Sequence, residues 1–393
     1  MSHVGKLGFK CIGCGACESI CPKKCVEVFE VGRKGLRAFV VEEQCASCGL
    51  CLEVCPIEDL KIPDDLERAK KVYRGYSRNK DIYLNSASGG GVSSLLWAMF
   101  DENLIDAALV AHYDEYLHIY GDFITSKEEV LTYSGSFYQT CKQLVNLKNI
   151  RQYRSVAVVG LPCHISAFKK YADKFGINNV YITISLFCTV GRMREGLKDF
   201  LRDRKEEILL QTKAKRYKSR FGEKRDGTIF VETLDGSRLD FSYFEYSAFV
   251  SHFYTPDGCL NCRKLFGLHA DISVGDDWGI VSDKKIFLMS INSDKGFNVL
   301  NKCSSLLELQ DLGNNTVRVL IQSQPDGAAL KIAPPEWKKV ALLAIKGLGR
   351  FNRFPLLRKA AYRFRWFVLK ILRKCTRQKV YANKTYPVGG GSR

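Results

Sequence analysis

No apolar run in this sequence reaches the ~18 residues that a helix needs to cross a bilayer, so the chain is not expected to span a membrane. A place on a membrane surface stays open. The N-terminal residues, MSHVGKLGFKCIGCG, meet a cysteine too early and with too little apolar length to form a secretory signal. Acidic residues are absent after Glu336, where 16 of the 60 Lys and Arg residues fall, so the formal charge of +18 belongs to the C-terminal region. A nucleic-acid-binding face would spread such charge through a folded domain, and nucleic acid is therefore not expected as a partner. Disorder, collagen and coiled coil are excluded by a composition of 46% hydrophobic and 26% charged residues. A length of 393 residues allows two to three domains and a core that needs no disulfide staples. The expected compartment is the cytoplasm. In that reducing setting the 16 cysteines read as metal ligands or catalytic thiols.

Eight of those cysteines lie in a duplicated pattern, Cys11-x2-Cys14-x2-Cys17-x3-Cys21-Pro22 and Cys45-x2-Cys48-x2-Cys51-x3-Cys55-Pro56. A cubane of four irons and four sulfides needs four converging thiolates, and short glycine-containing loops let three of them curl around one cube. Two runs that each end in Cys-Pro weigh against zinc, which also takes four cysteines. Residues 5–60 resemble bacterial two-cluster ferredoxins, in which the fourth cysteine of each run ligates the other cluster. That pattern pairs Cys11, Cys14, Cys17 and Cys55 around one cube, and Cys45, Cys48, Cys51 and Cys21 around the second. Gly13, Gly15 and Gly49 free the backbone for the wrap.

Beyond a charged stretch read as a linker, Ser86–Ser94 forms a Gly/Ser turn that opens a helix. Such a turn presents amides and a positive helix end to a phosphate, but it matches neither the dinucleotide fingerprint nor the P-loop. A nucleotide site and an ordinary turn are both compatible with it. Farther on, RSVAVVGLP, PCHISAFKKYADKFG, NVYITISLFC and GRMREGLKDFLRDRKEEI alternate as strand, helix, strand, helix. That alternation implies a parallel sheet with sites beyond the carboxyl ends of its strands, where Cys163 and Cys188 fall. Asp235-Gly236 between alternating runs predicts a small β hairpin. With Cys259-x2-Cys262 there are four further cysteines, the number a third cubane requires, although buried free cysteine is also a common core residue.

The segments Ser88-Gly89-Gly90, Gly135-Ser136-Phe137-Tyr138, Gly160-Leu161-Pro162-Cys163, Phe187-Cys188, Cys259-x2-Cys262 and Asp271-Ile272-Ser273-Val274-Gly275-Asp276-Asp277-Trp278-Gly279 resemble the beta-subunit family of coenzyme F420 hydrogenases and dehydrogenases. With the ferredoxin region the resemblance spans about residues 5–300. It implies FAD, hydride exchange between FAD and coenzyme F420, and a third [4Fe–4S] cluster on Cys163, Cys188, Cys259 and Cys262. It also implies that Ser88, Gly89, Gly90, Gly91 and Ser93 hold the flavin pyrophosphate, and that Gly135, Ser136, Tyr138 and Gly275 add flavin contacts. Asp276, Trp278 and His164 become the candidate catalytic residues. Phe137, His164 and the residues after Cys188 depart from the family's usual pattern. Lys213, Lys215, Arg216, Lys218, Arg220, Lys224 and Arg225 form either a site for the acidic tail of F420 or a solvated hairpin.

Residues 356–374 read as a basic amphipathic helix, with Leu357, Ala360, Ala361, Phe364, Phe367, Val368, Ile371 and Leu372 at helical spacing. An anionic membrane surface is the expected partner of that helix, with packing on the domain as the alternative.

The expected fold is therefore a ferredoxin domain (1–62), a linker (63–81) and an α/β flavin-binding domain with a small β insertion (82–335). The basic C-terminal region (336–388) follows, and 389–393 reads as an appended scar. The expected function is an FAD- and [4Fe–4S]-dependent oxidoreductase that passes electrons between F420 and a redox partner protein or membrane-associated acceptor. Two other readings stand beside it: a reductase of polysaccharide or isoprenoid lipid synthesis without F420, and an electron-relay subunit of a larger complex.

Overall fold

The computed structural model describes residues 3–204, 213–332, 336–349 and 354–382. The expected scar and the end of the helix expected to run to residue 208 lie outside these residues.

The N-terminal lobe carries a hairpin of β1 (Val26–Glu30) and β2 (Leu36–Val40), beside two short cysteine-bearing helices, Ala16–Ile20 and Leu50–Glu53. Both short helices start at a left-handed glycine, Gly15 with φ 84° and Gly49 with φ 76°. A side chain there would strain the turn that folds each cysteine run back on itself.

The main domain is built on strands β3 (Lys71–Ser77), β4 (Ala107–Tyr113), β5 (Ile119–Ile124), β6 (Val156–Gly160), β7 (Val180–Leu186), β11 (Ile272–Asp276), β12 (Phe287–Ile291) and β13 (Leu307–Asp311). They form one sheet in the order β13-β3-β12-β11-β7-β6-β4-β5. Its centre, β4-β6-β7-β11, is parallel and both flanks are antiparallel. β6 reads VAVVG and is buried throughout, as a strand covered on both faces must be. It leads into the helix Pro162–Phe175, which has proline at its first turn and ends at a left-handed Gly176. The hairpin expected at Asp235-Gly236 is present as β9 (Thr228–Thr233) and β10 (Arg238–Ser242). It is joined by β8 (Ala214–Phe221), which the dense positive charge of 213–225 concealed in the sequence.

Residues 63–81 are not a free linker. Lys71–Ser77 is an inner strand of the large sheet, and the helix Lys80–Asn85 starts within the same stretch. Its charges hid the strand pattern because they are paired: Lys71 with Asp311 at 2.8 Å and Arg74 with Asp277 at 2.7 Å. The Asp64 carboxylate accepts the Leu265 and Phe266 amides at 2.7 Å each, which ties the segment down before the strand begins.

The C-terminal region is likewise part of the domain. The helices Lys338–Leu348 and Pro355–Ala382 bury Leu342, Ile345, Ala361, Val368, Leu369 and Leu372 in the same core as Phe253 and Leu330. Arg358 pairs with Asp203 at 2.6 Å, and the buried Arg365 donates to the Ala248 and Ser251 carbonyls. The amphipathic stripe expected in the sequence is split: Ala361, Val368 and Leu372 face inward, whereas Leu357, Phe364 and Phe367 stand exposed.

Candidate functional site

Two cysteine sets form in the N-terminal lobe. Cys14 lies within electrostatic reach of Cys11 and Cys55, and Cys17 within reach of Cys14, Cys11 and Cys55. Cys51 faces Cys45 and Cys48, and a small pocket lined by Cys21, Cys45, Cys48 and Cys51 completes the second set. Each run thus lends its fourth cysteine to the other set. Cys17 also reaches Cys51, so the two sets adjoin. Burial pushes the Cys14 and Cys55 thiols up to about 12. Such thiols stay protonated at neutral pH unless a metal supplies the positive charge that ionises them. The Gly13 amide donates to Cys11 Sγ at 3.4 Å, a bond of the kind that stabilises cluster sulfur. One cysteine passed over in the sequence, Cys25, lies with its Sγ 3.4 Å from Cys21 Sγ. The Cys21-x3-Cys25 spacing was its available signal.

The main domain brings the other four cysteines together. Cys163 follows β6 at the start of the helix Pro162–Phe175, Cys188 follows β7, and Cys259 and Cys262 come from the short helix Asp257–Asn261 and its end. Cys163 is within electrostatic reach of Cys262, Cys188 and Cys259, and also of Cys14 in the N-terminal lobe. Burial pushes Cys259 up to about 12, so this set makes the same demand for positive charge. A buried lysine that sequence reasoning missed, Lys331, points its Nζ at Cys262 Sγ at 3.6 Å. Burial alone would lower its ammonium, but the surrounding sulfurs outweigh that and hold it above the usual lysine range.

Beside this set, at the carboxyl ends of the parallel strands, lies a cleft. Its floor is Val110, Val159, Leu186, Val274 and Gly275, and its rim is Ser86, Ser88, Gly90, Gly91, Ser93, Gly135 and Ser136. Seven of the nine residues expected to hold cofactor therefore line one cavity. The other two do not line it: Gly89 is packed against the Lys285 carbonyl, and Tyr138 turns toward Tyr243. A Cβ on Gly90, whose φ is 91°, would come within 2.9 Å of Ile82, and one on Gly91 within 2.9 Å of the Phe287 ring. The turn is pressed on the core behind it and leads into the helix Gly91–Asp101, whose first amides have no acceptor inside the helix. An anionic group at the rim would meet those amides and the positive helix end. Lys285 supports the turn from below by donating to the Leu84 and Ser86 carbonyls.

Asp276 ends β11 beyond Gly275, and its carboxylate pairs with the fully buried Arg220 at 2.5 Å. The half-exposed Trp278 ring lies 4.5 Å from the Arg225 guanidinium and 5.4 Å from that of Arg220. The basic hairpin is thus divided. Lys218 donates to the carbonyls that end the helix Lys127–Tyr133, and Arg225 holds the Asp277 and Ile280 carbonyls. Lys215, Arg216 and Lys224 remain exposed. His164 is not brought to the cleft. Its Nδ1 accepts the Leu161 amide at 3.3 Å, and burial lowers its ring to about 3.

A two-run cysteine lobe docked on an α/β domain that carries its own cysteine quartet is the build of an iron–sulfur electron-transfer protein. Residues 8–62 match the 4Fe-4S dicluster domain. Residues 72–148 match "Coenzyme F420 hydrogenase/dehydrogenase, beta subunit N-term", and residues 153–314 match the C terminus of the same subunit. The chain belongs to the coenzyme F420 hydrogenase/dehydrogenase beta-subunit family, an oxidoreductase family, as its motifs led us to expect. It is 26% identical over 330 residues to one of the subunits of the F(420)H(2) dehydrogenase of Methanosarcina mazei, covering 81% of this chain and 90% of that protein. It is 25% identical over 300 residues to an uncharacterized protein of Methanocaldococcus jannaschii, covering 68% and 80%. A chain of the F420-reducing [NiFe] hydrogenase complex from Methanosarcina barkeri aligns at 20% identity with a TM-score of 0.49, covering 84% of this chain and 98% of that one.

The buried His164 ring makes a prediction about pH. Its folded value of about 3 lies below the ordinary 6.5, so the unfolded chain takes up this proton first as pH falls, and stability drops through the window from 6.5 toward 3. His164→Gln should therefore lose less of its thermal midpoint between about pH 7 and about pH 5 than the parent chain. An equal loss would contradict this account.

Proposed function

We propose that this chain is an FAD- and [4Fe–4S]-dependent oxidoreductase that exchanges electrons between coenzyme F420 and a redox partner through three clusters. The observation that carries the reading is the shared origin of cleft and cysteines. Val159 and Leu186 line the cleft at the ends of β6 and β7, and Cys163 and Cys188 follow within a few residues just after those two strands. A flavin, when bound, accepts two electrons as hydride and releases them singly, which suits a place between such a donor and one-electron clusters. The amides at the start of the helix Gly91–Asp101 would hold the pyrophosphate, with Ser88 and Ser93 beside them and Gly135, Ser136 and Gly275 admitting the rings without a large side chain in the way. Asp276 is held in place by its pair with Arg220, and with Trp278 it forms the wall beyond Gly275 where a planar substrate ring would rest. The exposed Lys215, Arg216 and Lys224 would draw the acidic tail of F420 toward that wall. From Cys163 the route continues to Cys14 and then through Cys17 to Cys51, near the surface where Cys48 is exposed.

Anaerobic mixing of the flavin-loaded, iron-loaded protein with reduced F420 should bleach flavin and clusters within the mixing experiment. Gly90→Val should abolish the bleaching and the bound flavin while leaving the iron content unchanged. Bleaching by dithionite but never by reduced F420 would remove F420 and favour the lipid or polysaccharide reductase, or the relay subunit.

The C-terminal helices support a second element of the reading, attachment to an anionic membrane surface. Trp337, Val340, Leu343, Phe364 and Phe367 are exposed among Lys339, Lys359, Arg363 and Lys370. Aromatic rings among cations suit the boundary between headgroups and acyl chains. Because Val368 and Leu372 are buried, removal of the helix would damage the core, so the test is Phe364→Ser with Phe367→Ser. Partition onto anionic liposomes should fall on the order of tenfold with the thermal midpoint kept. Unchanged partition would refute the attachment.

A further inference from the structure

Three cations surround the main-domain cysteine quartet, and among the described residues no carboxylate forms an ion pair with any of them. Lys331 is 2% exposed, and its Nζ meets Cys262 Sγ at 3.6 Å and the Lys264 carbonyl at 2.8 Å. Lys338, also buried, lies within electrostatic reach of Cys262 and Cys259. Arg192 is within reach of Cys188; its Nη2 donates to Ser247 Oγ and Ser251 Oγ, and its buried Nη1 has no partner. The contrast with the N-terminal set that holds Cys11 and Cys55 is sharp. The cations near Cys11 and Cys55 are Arg37 and Lys170, and both are paired, Arg37 with Asp257 and Lys170 with Asp59 at 3.3 Å.

An electron added to a four-cysteine cubane adds one negative charge with no bond made or broken and no proton moved. An unpaired ammonium against a ligand sulfur, in a medium of low dielectric, therefore favours the reduced cluster more strongly than a neutralised cation does. We propose that Lys331 is a positioning and tuning residue that makes the cluster on Cys163, Cys188, Cys259 and Cys262 the most easily reduced of the three. This rests on the three-cluster reading above. Electrons leaving the flavin cleft would then collect at the quartet nearest to it before they are passed, one at a time, to the cluster on Cys14.

The test is redox potentiometry of the full-length, cluster-loaded protein followed by EPR. Cys163→Ser should remove one signal, and that signal should be the one with the highest midpoint. Lys331→Met and Lys331→Gln should shift the midpoint of the same signal to lower potential and leave the other two in place, whereas Lys331→Arg should restore it. A Cys163-dependent signal whose midpoint does not move in Lys331→Met or Lys331→Gln would overturn the role of Lys331. If Cys163→Ser removed no signal at all, the third cluster itself would fail.

Discussion

Sulfur held away from water must be either protonated or matched by positive charge, and this chain gathers cysteines into three sets of four. A thiolate in a medium of low dielectric is costly, which is why the thiols of Cys14, Cys55 and Cys259 are pushed up to about 12. Four such groups drawn together make a poor core on their own, because each thiol that ionises raises its neighbours further. Iron would reverse the sign of the problem, since its positive charge would favour the thiolates that hold it. The left-handed Gly15 and Gly49, the docking of Cys14 toward Cys163 and the cations around Cys262 all serve that requirement.

The parallel centre of the large sheet places the cleft lining and the cysteine quartet at the same strand ends. Strands β4, β6, β7 and β11 end together, so the loops that follow them must share one region of space. Small residues there leave the cleft open, and cysteines stand beside them. The cleft proposed for flavin and the cysteine quartet are therefore neighbours without either requiring a long connection. The N-terminal lobe is fastened on the same side by the Leu144 amide, which donates to the Cys14 carbonyl at 2.8 Å, and by the Arg263 amide, which donates to the Leu60 carbonyl at 2.7 Å.

Much of this was legible in the sequence where the signal was local. The spacing of the cysteine runs, the buried VAVVG strand and the proline-led helix after it are contained in short windows, and the structure has each of them. What was not legible depended on distant partners. Lys71–Ser77 looked like a charged linker because Asp311 and Asp277, which pair its Lys71 and Arg74, lie more than two hundred residues away in the sequence. His164 looked like a candidate acid because a histidine beside a cysteine gives no sign that its ring will be spent on the Leu161 amide. Lys331 carried no signal, since one lysine at the end of an ordinary helix is indistinguishable from a solvated one until Cys262 is placed against it. The basic C-terminal helix was seen but misread in part, because hydrophobic spacing cannot say which side of a helix another helix already covers.

The central claim is that one chain carries a flavin cleft and three cubanes. The most direct measurement is the iron, acid-labile sulfide and released flavin per chain in anaerobically prepared protein. The account predicts about twelve irons, about twelve sulfides and about one FAD. About eight irons, or iron in full measure with no flavin retained, would contradict it.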